Sequence, residues 1–151
     1  MKFLRRLTIF ALLAFALVAC QSGDNNLPTR PEANNSYVGT MIVDQNDGTT
    51  YTDSAAKVAF EITPQGTANF KMYGVKFSER MPLTLTMTVE GLTAEPTTDG
   101  YTLSGDNIVP YALGGKFEKY TITEFRGTLT ESHVEMSFMC GEYPITYEGR
   151  K

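Results

Sequence analysis

The strongest constraint on the fold of this chain is an alternation of apolar and polar residues with a period of two. From Leu83 to Val89 every second residue is apolar and each residue between is threonine, and Val58–Ile62 and Val134–Cys140 alternate similarly. Successive side chains of a strand point to opposite faces, so this period indicates strands with one buried and one solvated face. The predicted inward residues are Val58, Phe60, Ile62, Phe70, Met72, Leu83, Leu85, Met87, Val89, Met136 and Phe138.

Turn signals separate these strands about every ten residues, which is typical of an all-β meander. No stretch of Tyr37–Lys151 sustains a helical period. This length accommodates about eight to ten strands of about six residues. An open sheet of that size would expose its edges, so the pattern favours an antiparallel meander closed into a β-barrel, with a sandwich as the alternative.

Glycine and proline set the expected ends and bends of the strands. The alternation that includes Phe70 and Met72 is interrupted at Gly74 and resumes to Phe77, which predicts a strand that bends at Gly74 and stops before Pro82. Gly91–Gly100 is expected to be a polar turn region. The segment 107–115 is ambiguous, because Pro110 and the Gly114-Gly115 pair favour a loop or an edge.

The first twenty residues have the pattern of an export signal. Three basic residues in Met1–Arg6 precede an apolar run, Leu7–Ala19, which contains one polar residue and is followed by Cys20. A transmembrane helix needs about 20 apolar residues, so residues 1–19 are interpreted as a cleaved signal peptide. Leu-Val-Ala-Cys resembles the bacterial lipobox, which implies lipid on Cys20 and attachment to a membrane through that lipid.

The next segment is expected to be a flexible tether. Residues 20–36 are rich in Asn, Pro and Ser and too poor in apolar residues to pack, which places the folded domain at residues 37–151. A coil of this length spans roughly 20–25 Å. Gln21 after the cysteine resembles an outer-membrane sorting signal, so the expected location is the cell envelope, at the outer membrane, with the periplasmic or surface face left open.

Net charge excludes one class of partner. The formal charge is −4, and removal of Lys2, Arg5 and Arg6 leaves ten basic against seventeen acidic residues, near −7. Binding to nucleic acid or to anionic lipid surfaces requires basic clusters, which this sequence lacks. We therefore expect neither partner.

No motif for catalysis is present. The sequence has no Gly-x-Ser-x-Gly, and its single histidine has no evident serine or cysteine partner. Glu131, His133 and Glu135 would share a strand face, but solvent exposure is favoured over a metal site, because zinc sites need three or four converging ligands. Cys140, left unpaired if Cys20 carries lipid, is interpreted as a small buried hydrophobe. We expect no enzyme activity, no metal and no cofactor.

Two polar segments beside turns also suggest no chemistry. Asp47-Gly48 is a hairpin signal, and this interpretation is favoured over a calcium loop because the spacing does not fit an EF-hand. Lys76, Glu79 and Arg80 are interpreted as solvated charges near a turn.

Three short motifs carry a family resemblance. They are Tyr37-Val38-Gly39-Thr40, Met72–Phe77 leading to Met81-Pro82, and Met139-Cys140-Gly141 before Tyr143-Pro144-Ile145. With the lipobox, their order resembles the calycin-like β-barrel domains of Bacteroidetes lipoproteins, which implies a calycin-like or lipocalin-like barrel. Classical lipocalins carry Gly-x-Trp on the first strand, and this chain has no Trp. Lipocalin binding properties are therefore not carried over.

The expected function is binding rather than catalysis. We expect a small apolar or amphipathic ligand in the barrel interior or at its mouth, because inward Phe and Met side chains can line an adaptable pocket. The candidate lining residues are Phe60, Phe70, Met72, Met87, Met136 and Phe138. The alternative is a structural or interaction lipoprotein whose barrel is a scaffold for protein or glycan contacts. Asp53-Ser54-Ala55 also resembles the O-glycosylation motif of exported Bacteroidetes proteins, which makes Ser54 a candidate acceptor.

Overall fold

The structure is a computed structural model that describes residues 35–151, with side chains from Ser36 onward. The predicted signal peptide, Cys20 and nearly all of the predicted tether lie outside the described residues. The first strand begins at Asn35, two residues before the predicted start of the domain.

Ten antiparallel strands and one short 3-10 turn make up the described chain. The strands are β1 Asn35–Asp44, β2 Thr50–Ile62, β3 Thr67–Val75, β4 Leu85–Pro96, β5 Gly100–Gly105, β6 Tyr111–Ala112, β7 Gly115–Lys116, β8 Ile122–Thr130, β9 His133–Cys140 and β10 Tyr143–Arg150. The 3-10 turn spans Glu118–Tyr120.

Eight of these strands close into a barrel. Around the barrel the order is β1, β2, β3, β4, β5, β8, β9 and β10, and the pairing of β10 with β1 completes the circle. The remaining two, β6 and β7, form a small hairpin attached to β4 through the pairing of Thr88 with Tyr111. The predicted all-β, closed antiparallel barrel is confirmed, and it is consistent with a calycin-like fold.

Aromatic side chains fill the middle of the barrel. The ring of Phe70 lies 5.5 Å from that of Phe60, 5.3 Å from that of Phe125 and 5.9 Å from that of Phe138. Phe125 and Phe138 also stack on each other at 5.3 Å. Centroid separations in this range are those of rings in mutual contact, so the four side chains form one packed cluster.

The predicted inward face is confirmed for all its residues except Leu83. Leu83 is 65% exposed, whereas Leu85 is buried. The alternation from Leu83 onward suggested a strand start two residues too early, because pairing with β3 begins only at Leu85, opposite Val75. The segment between these two residues crosses the end of the barrel as a loop.

Two bulges between β3 and β4 lie at glycines. Gly74 has a φ of +58°, and the β3–β4 register shifts between Met72 and Val75, so the predicted bend is confirmed. The predicted turn over Gly91–Gly100 is wrong for residues 91–96 and confirmed for residues 97–99, which connect β4 to β5. Gly91, with a φ of +86°, forms a bulge and donates its N–H to Asn69 Oδ1 at 3.0 Å, so β4 continues through it to Pro96.

The two ends of the barrel differ in what covers them. At one end, here called the mouth, lie the β1–β2 turn, the loop of residues 76–84, the segment of residues 106–121 between β5 and β8, and the β9–β10 turn. At the opposite end lie the start of β1, the end of β10 and the short β2–β3, β4–β5 and β8–β9 turns. The chain therefore enters the barrel at the end opposite the mouth.

Candidate ligand-binding site at the barrel mouth

The six predicted lining residues lie in the packed core. They are between 0% and 4% exposed: Phe60, Phe70, Met72, Met87, Met136 and Phe138. Three of the rings contact one another or Phe125, as described above. A ligand among these side chains would have to displace some of them. The prediction that they line a ligand cavity stays a prediction.

The loop of residues 76–84, here called the strap, closes the mouth. Its Phe77 is 0% exposed and its ring lies 4.8 Å from that of Tyr120 and 6.3 Å from that of Tyr143. Gln45 Nε2 donates to the carbonyl oxygen of Phe77 at 2.6 Å. The Phe77 N–H contacts Met81 Sδ at 3.1 Å. Phe77 thus separates the aromatic interior from the outer part of the mouth.

Outside Phe77 the mouth holds a polar pocket of about 400 Å³. It is formed by the β1–β2 turn, the first residues of β2, the strap and the start of β10. Its lining residues are Gln45, Asp47, Thr49, Thr50, Tyr51, Ser78, Glu79, Arg80 and Tyr143. Ligand sites commonly occupy such volumes, and barrel mouths are one of their preferred places.

Hydrogen bonds hold the β1–β2 turn against the neighbouring segments. Asp47 Oδ1 accepts from the Thr49 N–H at 2.9 Å and from the Thr49 hydroxyl at 2.5 Å. Asn46 Nδ2 donates to the carbonyl oxygen of Glu142 in the β9–β10 turn at 2.7 Å. Together with the bond from Gln45 to the strap, these contacts link the three segments that line the pocket. These bonds fix the β1–β2 turn, which therefore loses little conformational freedom when a ligand binds beside it.

The pocket contains charged side chains and two tyrosine rings. Hydrogen bonds from the Thr49 hydroxyl and N–H, with the positive charge of Arg80, lower the pKa of Asp47. Burial raises the pKa of Tyr51, and the negative charges of Asp53 and Glu79 raise it further. Arg80 is therefore an electrostatic neighbour of Asp47, and Glu79 of Tyr51. This arrangement offers carboxylates beside phenol rings, and no histidine, cysteine or serine–base pair for covalent chemistry.

A second concavity lies on the outer surface of the barrel wall. This groove of about 920 Å³ is lined mainly by outward side chains of β1, β4, β5, β8, β9 and β10. Strand register places six of its residues in one row across the sheet: Glu95, Thr102, Thr128, Glu135, Glu148 and Thr40. Met136 also borders the groove, although its side chain is buried.

His133 lies at the edge of the wall and pairs with β10. Its Nε2 is 3.2 Å from Glu148 Oε1, which is also 3.6 Å from Arg150 Nη2. Glu131 and Glu135 are exposed. Within residues 35–151, no three His, Cys, Asp or Glu side chains are grouped so that they could hold a metal ion.

The remaining candidates lie away from the mouth pocket. Ser54 is exposed on β2, and Cys20 lies outside the described residues. Cys140 is buried with its Sγ 3.7 Å from the carbonyl oxygen of Tyr120, and burial raises its pKa to about 12. A thiol with so high a pKa is a poor nucleophile, which fits the interpretation of Cys140 as a small buried hydrophobe.

Sequence reasoning missed the mouth pocket. The predictions of Asp47 in a hairpin turn and of Glu79 and Arg80 as solvated charges are confirmed, since all three residues are exposed, but their common place in one pocket was not predicted. A signal was present, because in a closed meander the turns that follow β1, β3 and β9 must meet at one end. The polar residues of these turns could therefore have been grouped before the structure was known.

Comparison of this chain with protein-family models, with curated proteins and with solved structures found no match. Over residues 35–151 the structure has no helix of the length and apolar character that crossing a membrane requires.

Proposed function

We propose that this protein is a non-enzymatic binding module of the cell envelope that holds a small amphipathic ligand in the pocket at the barrel mouth. It is attached to the membrane by lipid on Cys20. One observation carries the proposal: a pocket braced by hydrogen bonds from three chain segments combines two tyrosine rings with polar and charged side chains. That combination suits a ligand with both an apolar and a polar part.

The mouth is favoured over the interior as the ligand site because a ligand can enter the mouth pocket without displacing core side chains. The interior is filled by Phe60, Phe70, Phe125 and Phe138 in mutual contact. Displacing close-packed rings costs several kcal/mol, whereas the mouth pocket is already open. An apolar ligand that entered the interior from the mouth would also have to pass Phe77, which is fully buried.

The end of the barrel at which the described chain begins agrees with a role for the mouth. The described chain begins at the end of the barrel opposite the mouth. A tether from Cys20 would therefore hold the mouth away from the lipid surface, where a small ligand has free access.

Two bulky substitutions test the proposal. Ser78→Trp places an indole in the mouth pocket, and Thr128→Trp places the same group in the outer groove. Protein extracted from its own membrane is examined by native mass spectrometry for a retained small molecule. We expect wild type and Thr128→Trp to retain it and Ser78→Trp to lose it. Loss only with Thr128→Trp, or retention by both variants, would contradict the proposal.

The outer groove supports a second candidate function, that of an interaction scaffold. Its specific observation is the continuous row of threonine and glutamate side chains across six strands, bordered by the exposed side chain of Ile42. Such a surface suits polar contacts with a protein or a glycan. A stable partner in the same native spectra, removed by Thr128→Trp and kept by Ser78→Trp, is the result expected for this candidate.

A further inference from the structure

We propose that the ligand at the mouth is an organic ammonium, a cation whose charged nitrogen carries apolar substituents. This inference rests on the proposed function and names the chemical class of its ligand. It follows from the charges of the pocket, from its aromatic rings and from a similar contact elsewhere in this barrel.

The charges of the pocket favour a single positive charge. Its lining contains two carboxylates, Asp47 and Glu79, and one guanidinium, Arg80. Asp47 is already compensated by the Thr49 hydrogen bonds and by the nearby charge of Arg80. Glu79 forms no salt bridge within residues 35–151. One uncompensated negative charge remains, so an anion would be repelled and a monovalent cation attracted.

The aromatic rings favour a cation that also has apolar surface. Tyr51 and Tyr143 both line the pocket, and Glu79 is an electrostatic neighbour of Tyr51. The face of a phenol ring attracts a nearby cation, and this attraction is strongest for ammonium groups that shed water easily. A carboxylate near Tyr51, in a pocket that Tyr143 also lines, is therefore a suitable site for an alkylated ammonium.

The outer wall of the barrel provides an internal precedent. The Nζ atoms of Lys57 and Lys71 lie 5.3 Å and 5.2 Å from the centre of the Tyr73 ring. In both cases an ammonium approaches a half-exposed tyrosine within cation–π range. Tyr73 is occupied by the protein's own lysines, whereas neither Tyr51 nor Tyr143 has a cation over its ring within the described residues.

A matched pair of probes tests the inference directly. Choline carries a quaternary ammonium, and 3,3-dimethylbutanol has the same shape with carbon in place of the charged nitrogen. Each is titrated into isotope-labelled full-length protein in maltoside micelles, because a detergent with a choline headgroup would compete. Binding is followed through the amide shifts of residues 45–51 and 78–80. We expect choline to bind about tenfold more tightly than the neutral probe.

Three neutralising variants locate the charge that is responsible. Glu79→Gln should weaken choline binding about fivefold to tenfold and leave the neutral probe unchanged. Arg80→Gln should strengthen choline binding. Glu95→Gln makes the same charge change in the outer groove and should have no effect. n-Butylamine is titrated in parallel to distinguish a primary ammonium, as in a lysine side chain, from a quaternary one.

The outcomes separate this inference from the proposed function. Equal affinity for choline and the neutral probe at the mouth would overturn the ammonium assignment and leave the proposed function intact. An equal loss of choline binding in Glu79→Gln and Glu95→Gln would overturn it too, because overall charge would then be the cause. Absence of shifts at the mouth with both choline and n-butylamine would also overturn it, while the proposed function would still be decided by Ser78→Trp.

Discussion

At the scale of single residues, the seam between β1 and β10 depends on glycine. A Cβ atom at Gly39 would overlap the carbonyl oxygen of Glu148 and the Cα of Gly149, its partner in register. A Cβ at Gly149 would overlap the hydroxyl of Tyr147, which donates to the backbone carbonyls of Tyr37 and Ala56. The glycine of the Tyr37–Thr40 motif is thus required by close approach of two backbones rather than by an unusual φ.

We predict that Gly39→Ala lowers the free energy of unfolding by at least about 2 kcal/mol, because backbone atoms must move to accept the methyl group. Gly115→Ala is the matched control, since nothing lies within 4 Å of its added Cβ, and it should change stability by no more than about 0.5 kcal/mol. Chemical denaturation of both variants measures the difference. Equal stability of the two would show that the seam can relax.

Buried thiol and phenol groups predict a loss of stability at alkaline pH. Burial raises the pKa of Cys140 from 9.0 to about 12, and burial with the charge of Glu131 raises that of Tyr37 from 10.0 to about 12. Above pH 9 the unfolded chain therefore loses protons that the folded chain retains. The free energy of unfolding keeps its full value below about pH 9. It falls as the pH rises toward 12, by up to about 1.4 kcal/mol per pH unit for each group.

Cys140→Ala isolates the thiol, because the tyrosines are the same in both proteins and their contribution cancels in the comparison. Between pH 9 and 10 the wild type should lose about 1 kcal/mol more than the variant. Urea denaturation at the two pH values measures this. An identical pH dependence in both proteins would mean that Cys140 ionises normally in the folded state.

At the scale of elements, the strap depends on few contacts for its position. Strands of the barrel wall are paired on both sides, whereas the strap is held mainly by the side chain of Phe77, by the bond from Gln45 and by Met81. Regions with few buried contacts open locally at lower free energy than the core. The mouth pocket therefore combines a rigid side, the β1–β2 turn, with a more easily opened one.

Gln45→Ala should raise the rate of amide hydrogen exchange in residues 76–84 about fivefold, the effect of losing one hydrogen bond of about 1 kcal/mol. Asn46→Gly is the control. It removes the bond to Glu142, and glycine adopts the φ of +58° at this position without strain. It should therefore leave the exchange rate of the strap unchanged. Faster exchange of the strap in both variants, or in neither, would argue against a specific role for Gln45.

At the scale of the whole molecule, the alternation of residues predicted the barrel but not the details of its end. Every second residue faces inward, as predicted, in Val58–Ile62 and in Val134–Cys140. Burial of one sheet face fixes which of the alternating residues point to the core. Leu83 and Gly91 were misinterpreted because local pattern does not show where a partner strand begins or where a bulge absorbs extra residues. Both errors concern pairing between strands, which is not local in sequence.

The candidate site was harder to predict because it is assembled from three turns. Asp47, Glu79 and Tyr143 are far apart in the chain and come together only when the barrel closes. The predicted lining residues were chosen for being apolar and inward, properties that a packed core and a ligand cavity share. Their mutual ring contacts, which decide how much room is left, depend on the closed geometry.

The most direct test of the mouth as the binding site is a crystal structure of the protein extracted from its own membrane with its ligand retained. We predict electron density between Tyr51 and Tyr143, outside Phe77, with the four-phenylalanine cluster unchanged. Ligand density inside the barrel with Phe70 or Phe77 displaced, or density confined to the groove beside Arg126, would contradict it.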